Sequence, residues 1–155
     1  MAQSESMLRL IKDDKIVGYE YRLFDISRND LIHIKPETFA AFLKYGISHV
    51  DSFLTAIHGS TYIACDGSLY IRHDLFEMGI KIGDEWYFDG DIFEWKVDTA
   101  DFGKVINRGI LKSPDNMRPW SVSFYSIYDI LRMNGTCIGN MHDNPELLKE
   151  NDHET

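Results

Sequence analysis

Short runs of alternating apolar and polar residues, each closed by a two-residue acidic or glycine turn, constrain this chain more than any other feature. Residues 7 to 12, MLRLIK, alternate, Asp13-Asp14 interrupts, and 16 to 25, IVGYEYRLFD, alternates again. Side chains of a strand point to opposite faces in turn, so two such runs around an acidic turn predict a β-hairpin. Asp66-Gly67, between Tyr62-Ile63-Ala64 and Leu69-Tyr70-Ile71, predicts a second hairpin. Gly83-Asp84 and Gly90-Asp91 punctuate IKIGDEWYFDGDIFEWKV, in which Phe93, Trp95 and Val97 fall on one face and Ile92, Glu94 and Lys96 on the other. A chain written this way folds mainly as antiparallel sheet.

Helical patterning is confined to short stretches. In KPETFAAFLKYG, Pro36 suits a first helical turn, Glu37 lies near the positive helix end, and Phe39, Phe42 and Leu43 recur at i, i+3, i+4 before Gly46. A one-sided helix over 36–45 is expected, and it needs a sheet to cover. SRND at 27–30 reads as a turn before a short strand from Leu31 to Ile34, and Arg72-His73-Asp74 as a linker. GKVINRGIL predicts a strand and KSPDNMRP, 112–119, a loop. WSVSFYSIYDIL alternates through Trp120, Val122 and Phe124, then spaces Ile127, Ile130 and Leu131 helically, so a strand to about 125 and a helical turn are expected. Gly135 to Met141 reads as a strand, after which Asn144 caps a short helix with Pro145 at its first position and Glu146 at its positive end.

The expected fold is therefore α+β, mainly β. An N-terminal hairpin-helix-hairpin module, 1–74, precedes a β domain, 75–155, built as a small bent sheet or SH3-like barrel with a short C-terminal helix. At 155 residues and 44% apolar composition a core is feasible without disulfides. Cys65 and Cys137 have no CxxC partner, which fits thiols in a reducing compartment. No window approaches the roughly 18 apolar residues of a membrane span, and the first residues lack the apolar core of a secretory signal. A cytoplasmic protein away from the membrane is expected. Sixteen basic against twenty-five acidic residues give a net charge of −9, a field that repels phosphate backbones and argues against nucleic acid.

Two motifs carry a family resemblance. CIGNMHDNPELL, 137–148, resembles the closing signature of YopX-like phage proteins, where a strand ending in Ile-Gly-Asn leads through a polar corner into Asn-Pro-Glu-Leu-Leu. MGIKIGDEWYFDGDIFEW, upstream, resembles the same family's aromatic and Gly-Asp segment. The likeness covers about residues 76–150. It implies a β-rich fold, phage or prophage origin and a bacterial host cytoplasm, and it brings no catalytic residue. The family's usual opening, a short Lys-Phe-Arg-Ala-Trp-like strand, is absent, and the module over 7–72 stands in its place. There, KIVGYEYRLFD followed by a helix and LKYGISHVDSFLTAI resembles a small phage hairpin-helix element, similar in layout to a phage sponge for cyclic ADP-ribose signals. No ligand residue carries across.

Candidate chemistry is sparse. Asp84, Glu85, Asp89, Asp91 and Glu94 are the densest carboxylates, and a hard cation would need their oxygens to converge at about 2.0 to 2.6 Å. They lack the DxDxDG loop spacing, so solvated turns are expected and no metal. His33, His49, His58, His73, His142 and His153 have no zinc spacing and read as surface or turn residues. Cys137 with His142 would suggest a nucleophile and base, but Cys137 is expected to be buried in its strand and inert. No cofactor loop or nucleophile elbow occurs, so no catalytic residue is assigned.

Aromatics remain. Trp86, Tyr87, Arg118, Trp120 and Tyr125 are the expected binding surface, because Trp, Tyr and Arg anchor interfaces when exposed. The leading expectation is a non-enzymatic accessory protein that binds a host protein, with self-association into a homo-oligomer through exposed hairpin edges. A sponge for a nucleotide-like small molecule is the alternative if a deep pocket sets arginine beside aromatics. A carboxylate- or metal-dependent hydrolase is the further alternative if the acidic residues converge.

Overall fold

A computed structural model describes residues 4–24, 29–44 and 71–148. It divides into two compact units, Met1–Ile80 and Lys81–Thr155. The chain is mainly β, in two antiparallel sheets with few helices. Among the described residues no helix is long and apolar enough to cross a membrane.

In the first unit β1 (Ser4–Lys12) and β2 (Lys15–Phe24) form the expected hairpin. Asp13 and Asp14 both take positive φ, 52° and 62°, the turn that matches the right-handed twist of the strands. β2 pairs with β3 (Asn29–Ile34), and β1 pairs on its other side with β4 (Leu75–Ile82), giving an order β3-β2-β1-β4 within this unit. Residues 36–44 are helical and form α1. Phe39 of α1 stacks on Tyr19 with ring centroids 3.6 Å apart, and Phe42 tilts against Tyr21 at 4.8 Å. The expected one-sided helix thus covers the sheet face that carries Tyr19 and Tyr21. The second hairpin around Asp66-Gly67, Cys65, and residues 27 and 28 of the expected turn lie outside the described residues.

Two expectations for this unit are corrected. Arg72-His73-Asp74 is not a free linker: Asp74 N–H donates to Ile11 O at 2.8 Å, and Asp13 N–H donates to the Asp74 carboxylate at 3.3 Å. β4 therefore belongs in part with the N-terminal sheet. His33 is no surface residue either. Both Ile32 and Ile34 are fully buried, and His33 on the opposite face of β3 is buried as well, beside Glu20 of β2. Ile71 N–H donates to His33 Nδ1 at 2.9 Å, so the neutral ring carries its proton on Nε2 and presents it to Glu20 Oε1, 3.3 Å away. Across the other sheet face, buried Arg9 reaches its register partner Glu77 at 2.7 Å.

In the second unit β5 (Glu85–Phe88) follows the Gly83-Asp84 turn. β5 pairs with β4, and the other five strands of the second unit form a separate sheet in the order β10-β6-β7-β8-β9, with β6 (Asp91–Thr99), β7 (Gly103–Lys112), β8 (Ser121–Val122), β9 (Tyr125–Ser126) and β10 (Thr136–Asn140). The order is open, with β10 and β9 as edges, so the expected barrel is corrected: neither sheet closes on itself. Phe93 and Trp95 of β6 face the core as the alternation predicts, and Ile92 is buried too. They pack in a core that includes Leu111, Val122, Ile127 and Ile130. Gly109 of β7 lets the Trp95 indole lie close: a Cβ there would stand 3.3 Å from its ring and 3.0 Å from Val122. The second turn is shifted by one residue, to Asp89-Gly90, because the buried Asp91 carboxylate accepts from Phe88 N–H at 2.8 Å and starts the strand.

WSVSFYSIYDIL departs most from expectation. It is not one strand to 125 but a minimal hairpin, β8 and β9, turning at Ser123-Phe124, with Ser123 at φ 57°. Helix α2 (Ile127–Arg132) follows at once. Ser126 decides this, since its side chain accepts from Asp129 N–H at 3.2 Å as an N-cap. The capped helix buries Ile127 and Ile130 and turns Phe124 outward.

Candidate functional site

Two adjacent loop tips of the second unit present apolar side chains to solvent. The first is the 113–120 loop. Asp115 N–H donates to Arg118 O at 3.0 Å, while Asp115 Oδ1 accepts from Met117 N–H at 2.8 Å and Arg118 N–H at 2.9 Å. These backbone bonds, with the Arg118 charge, hold the Asp115 carboxyl below its ordinary pKa. The turn they close leaves Met117 88% exposed at its tip. The second tip is Ser123-Phe124, fixed by the β8–β9 pairing and by Ile127 N–H donating to Trp120 O at 3.2 Å. Phe124 is 89% exposed.

Between the tips lies an open groove of about 360 Å³, lined by Arg118, Pro119, Phe124 and Tyr125 with Ser121, Ser123 and Ser126. Tyr125 leans edge-on against Trp95 with centroids 6.0 Å apart, which ties the groove floor to the core. Tyr128, in the first turn of α2, is also exposed. Because these side chains stand on hydrogen-bonded turns and not on loose chain, covering them requires little further ordering of the backbone, although Met117 still gives up side-chain rotamers.

Of the five expected surface residues, Arg118 and Tyr125 come together in this groove. Trp86, Tyr87 and Trp120 do not line it. Trp86 is half-buried on β5. Tyr87 tilts against Phe93 at 5.3 Å, and burial, with the charge of Glu85 next, pushes its hydroxyl pKa up. It belongs largely to the packing. Met117, Phe124 and Tyr128 were missing from the sequence-based set. Ser126 followed three residues later by Asp129 could have revealed Phe124, because a cap there ends the strand early and frees it.

The carboxylates do not converge. Asp84 and Glu85 are exposed in their turn, Asp89 accepts from Ser113 Oγ at 2.9 Å, Asp91 caps Phe88 N–H, and Glu94 holds Arg108 at 2.9 Å. Among the described residues no three His, Cys, Asp or Glu side chains are grouped to hold a metal ion.

The stretch 137–148 closes the sheet. Contrary to expectation the Cys137 thiol is exposed, because β10 is an edge strand. Asn140 organises the corner: its Oδ1 accepts from His142 N–H and Asp143 N–H, both at 2.9 Å. Asn144 precedes the helical residues 146–148, but its side chain turns back to accept from Asn140 N–H at 3.3 Å, so it braces the strand end where a helix cap was expected. Gly139 makes room for it, since a Cβ there would collide with the Asn144 carboxamide. Trp95 Nε1 is, among the described residues, the one buried side-chain polar atom lacking a hydrogen-bond partner. No family model matches this chain, and neither the curated proteins nor the solved structures contain a match.

Proposed function

We propose that this chain is a non-enzymatic binding protein that grips a host protein through the Met117 and Phe124 tips, as a phage or prophage accessory protein of the YopX-like kind. The observation that carries the reading is the pair of almost fully exposed apolar side chains on turns that the backbone holds in place. Exposed apolar surface is a standing cost in water unless a partner covers it. The open form of the groove supports a protein segment over a small molecule, which is ordinarily enclosed by its pocket. The carboxylates support no hydrolytic site, since Asp89, Asp91 and Glu94 each face a donor of their own.

The test uses wild type and the double variant Met117→Ser/Phe124→Ser as baits in host lysate, followed by purification of the captured protein and its titration against both. Saturable binding that the double variant loses is expected. Equal binding by both baits, or a melting temperature raised in proportion to an added nucleotide signal, would overturn the reading.

A further inference from the structure

Beside the apolar groove lies a second depression of about 210 Å³, lined by Lys112, Ser113, Asp115, Arg118, Ser121 and Ser123. It shares Arg118, Ser121 and Ser123 with the groove, so the two form one continuous surface. Lys112 ends β7 and Arg118 closes the following loop, and both are exposed. Neither side chain makes a hydrogen bond or ion pair among the described residues, although acids outnumber bases by twenty-five to sixteen in the whole chain. The nearby acids spend their hydrogen bonds on other groups, although the Arg118 charge still acts on Asp115. Asp115 Oδ1 takes two backbone N–H groups, and Asp89 takes the Ser113 hydroxyl. Two cations that make no side-chain hydrogen bond or ion pair among the described residues, Arg118 lying within electrostatic reach of Asp115, and the hydroxyls of Ser121 and Ser123 therefore border the groove that carries Phe124 and Tyr125.

We infer that the partner enters this surface as an acidic peptide segment, with an apolar or aromatic side chain against Phe124 and Tyr125 and a neighbouring Asp or Glu carboxylate on Arg118 and Lys112. This rests on the proposed protein-binding function and adds the chemistry of the partner. Charge complementarity selects the segment: the guanidinium of Arg118 gives a carboxylate a planar, two-bonded seat, and Lys112 adds a second positive charge. The net charge of −9 disfavours an acidic segment on average, so the two cations would set its orientation and register in the groove. A basic segment is turned away at this point.

The probe is a displayed library of random twelve-residue peptides, selected on the full chain and counter-selected on Phe124→Ser. Enriched sequences are synthesised, each with its acidic residues and with the corresponding amides, and titrated by fluorescence anisotropy against wild type, Phe124→Ser and Lys112→Gln/Arg118→Gln. Enriched peptides are expected to pair an apolar residue with Asp or Glu. Their affinity should fall about tenfold or more with Lys112→Gln/Arg118→Gln, fall similarly on amidation, and not fall further when both changes are combined. Peptides that need Phe124 but carry no acid, or that ignore Lys112→Gln/Arg118→Gln, overturn this inference and leave the binding function standing. Absence of any Phe124-dependent peptide overturns both.

Discussion

Gly139→Ala tests the corner at the end of β10. A methyl group there falls on the carboxamide of Asn144, with its Cγ at 2.7 Å and its Cβ at 3.1 Å. Rotating the carboxamide away clears the first contact but not the second, and it abandons the bond from Asn140 N–H. Losing an acceptor for a half-buried backbone N–H costs about 1 to 3 kcal/mol, and Gly139 lies at φ 158°, where an alanine is strained and the usual gain from a stiffer unfolded chain does not apply. The expected loss is about 2 kcal/mol or more. Asn144→Ala alone removes the same bond without crowding and should cost about 0.5 to 1.5 kcal/mol. In the double variant Gly139→Ala/Asn144→Ala the carboxamide is already gone, so its loss should be clearly smaller than the sum of the two single losses, with the Cβ contact at 3.1 Å and the backbone strain at residue 139 remaining. Urea denaturation followed by tryptophan fluorescence measures this cleanly, because Trp86, Trp95 and Trp120 all lie in the second unit and the first has none. Strictly additive losses would refute the contact between Gly139 and Asn144 as the reason for glycine.

The other expectations follow from individual contacts. Ile92→Ala opens a fully buried site in β6 and should cost about 2 to 5 kcal/mol in the same denaturation experiment. Ser126→Ala removes the α2 cap and should cost about 0.5 to 2 kcal/mol, with Phe124 losing its defined position as seen in the methyl and ring NMR signals of that hairpin. His33 is held below its ordinary pKa of 6.5, chiefly by burial, against the opposing charge of Glu20, while His73 and Arg22 push the same way as burial. Its folded pKa lies below the unfolded one, so the unfolded chain binds the extra proton first. Stability should therefore be undiminished above pH 6.5 and decline as pH falls from there towards the folded pKa, with amide exchange across β2 and β3 accelerating in that window. His33→Gln should flatten that part of the profile; a profile unchanged by it would show that His33 does not titrate on unfolding.

Local chemistry made much of this protein readable in advance. Asp13-Asp14 between alternating runs specifies a hairpin because the turn and the strand period agree, and Phe39 and Phe42 specify which face of a short helix is covered. The alternation of Phe93 and Trp95 identified the core face of β6. Two of the misreadings share an origin in contacts that are distant in sequence. His33 looked like a surface residue because burial of the second face of β3 depends on Glu20 of β2 and on Ile71, thirty-eight residues away in sequence. Cys137 looked buried because nothing local says that β10 would be an edge.

The candidate surface divides in the same way. Arg118 and Tyr125 could be chosen from residue type alone, since bulky amphipathic side chains near a proline-rich loop are the usual anchors of an interface. Met117 and Phe124 could not, because Phe124 continues an apolar alternation that a strand would have buried. What turned it outward was the Ser126 cap and the packing of Ile127 and Ile130, which gain more by entering the core than a longer β8 would. Sequence by itself determined the strands, turns and short helices, because backbone preference and side-chain period act over a few residues. Only tertiary structure decided which strands became edges, which polar groups were sealed in, and which apolar ones were left exposed, because burial is a property of neighbours that the chain brings from far away.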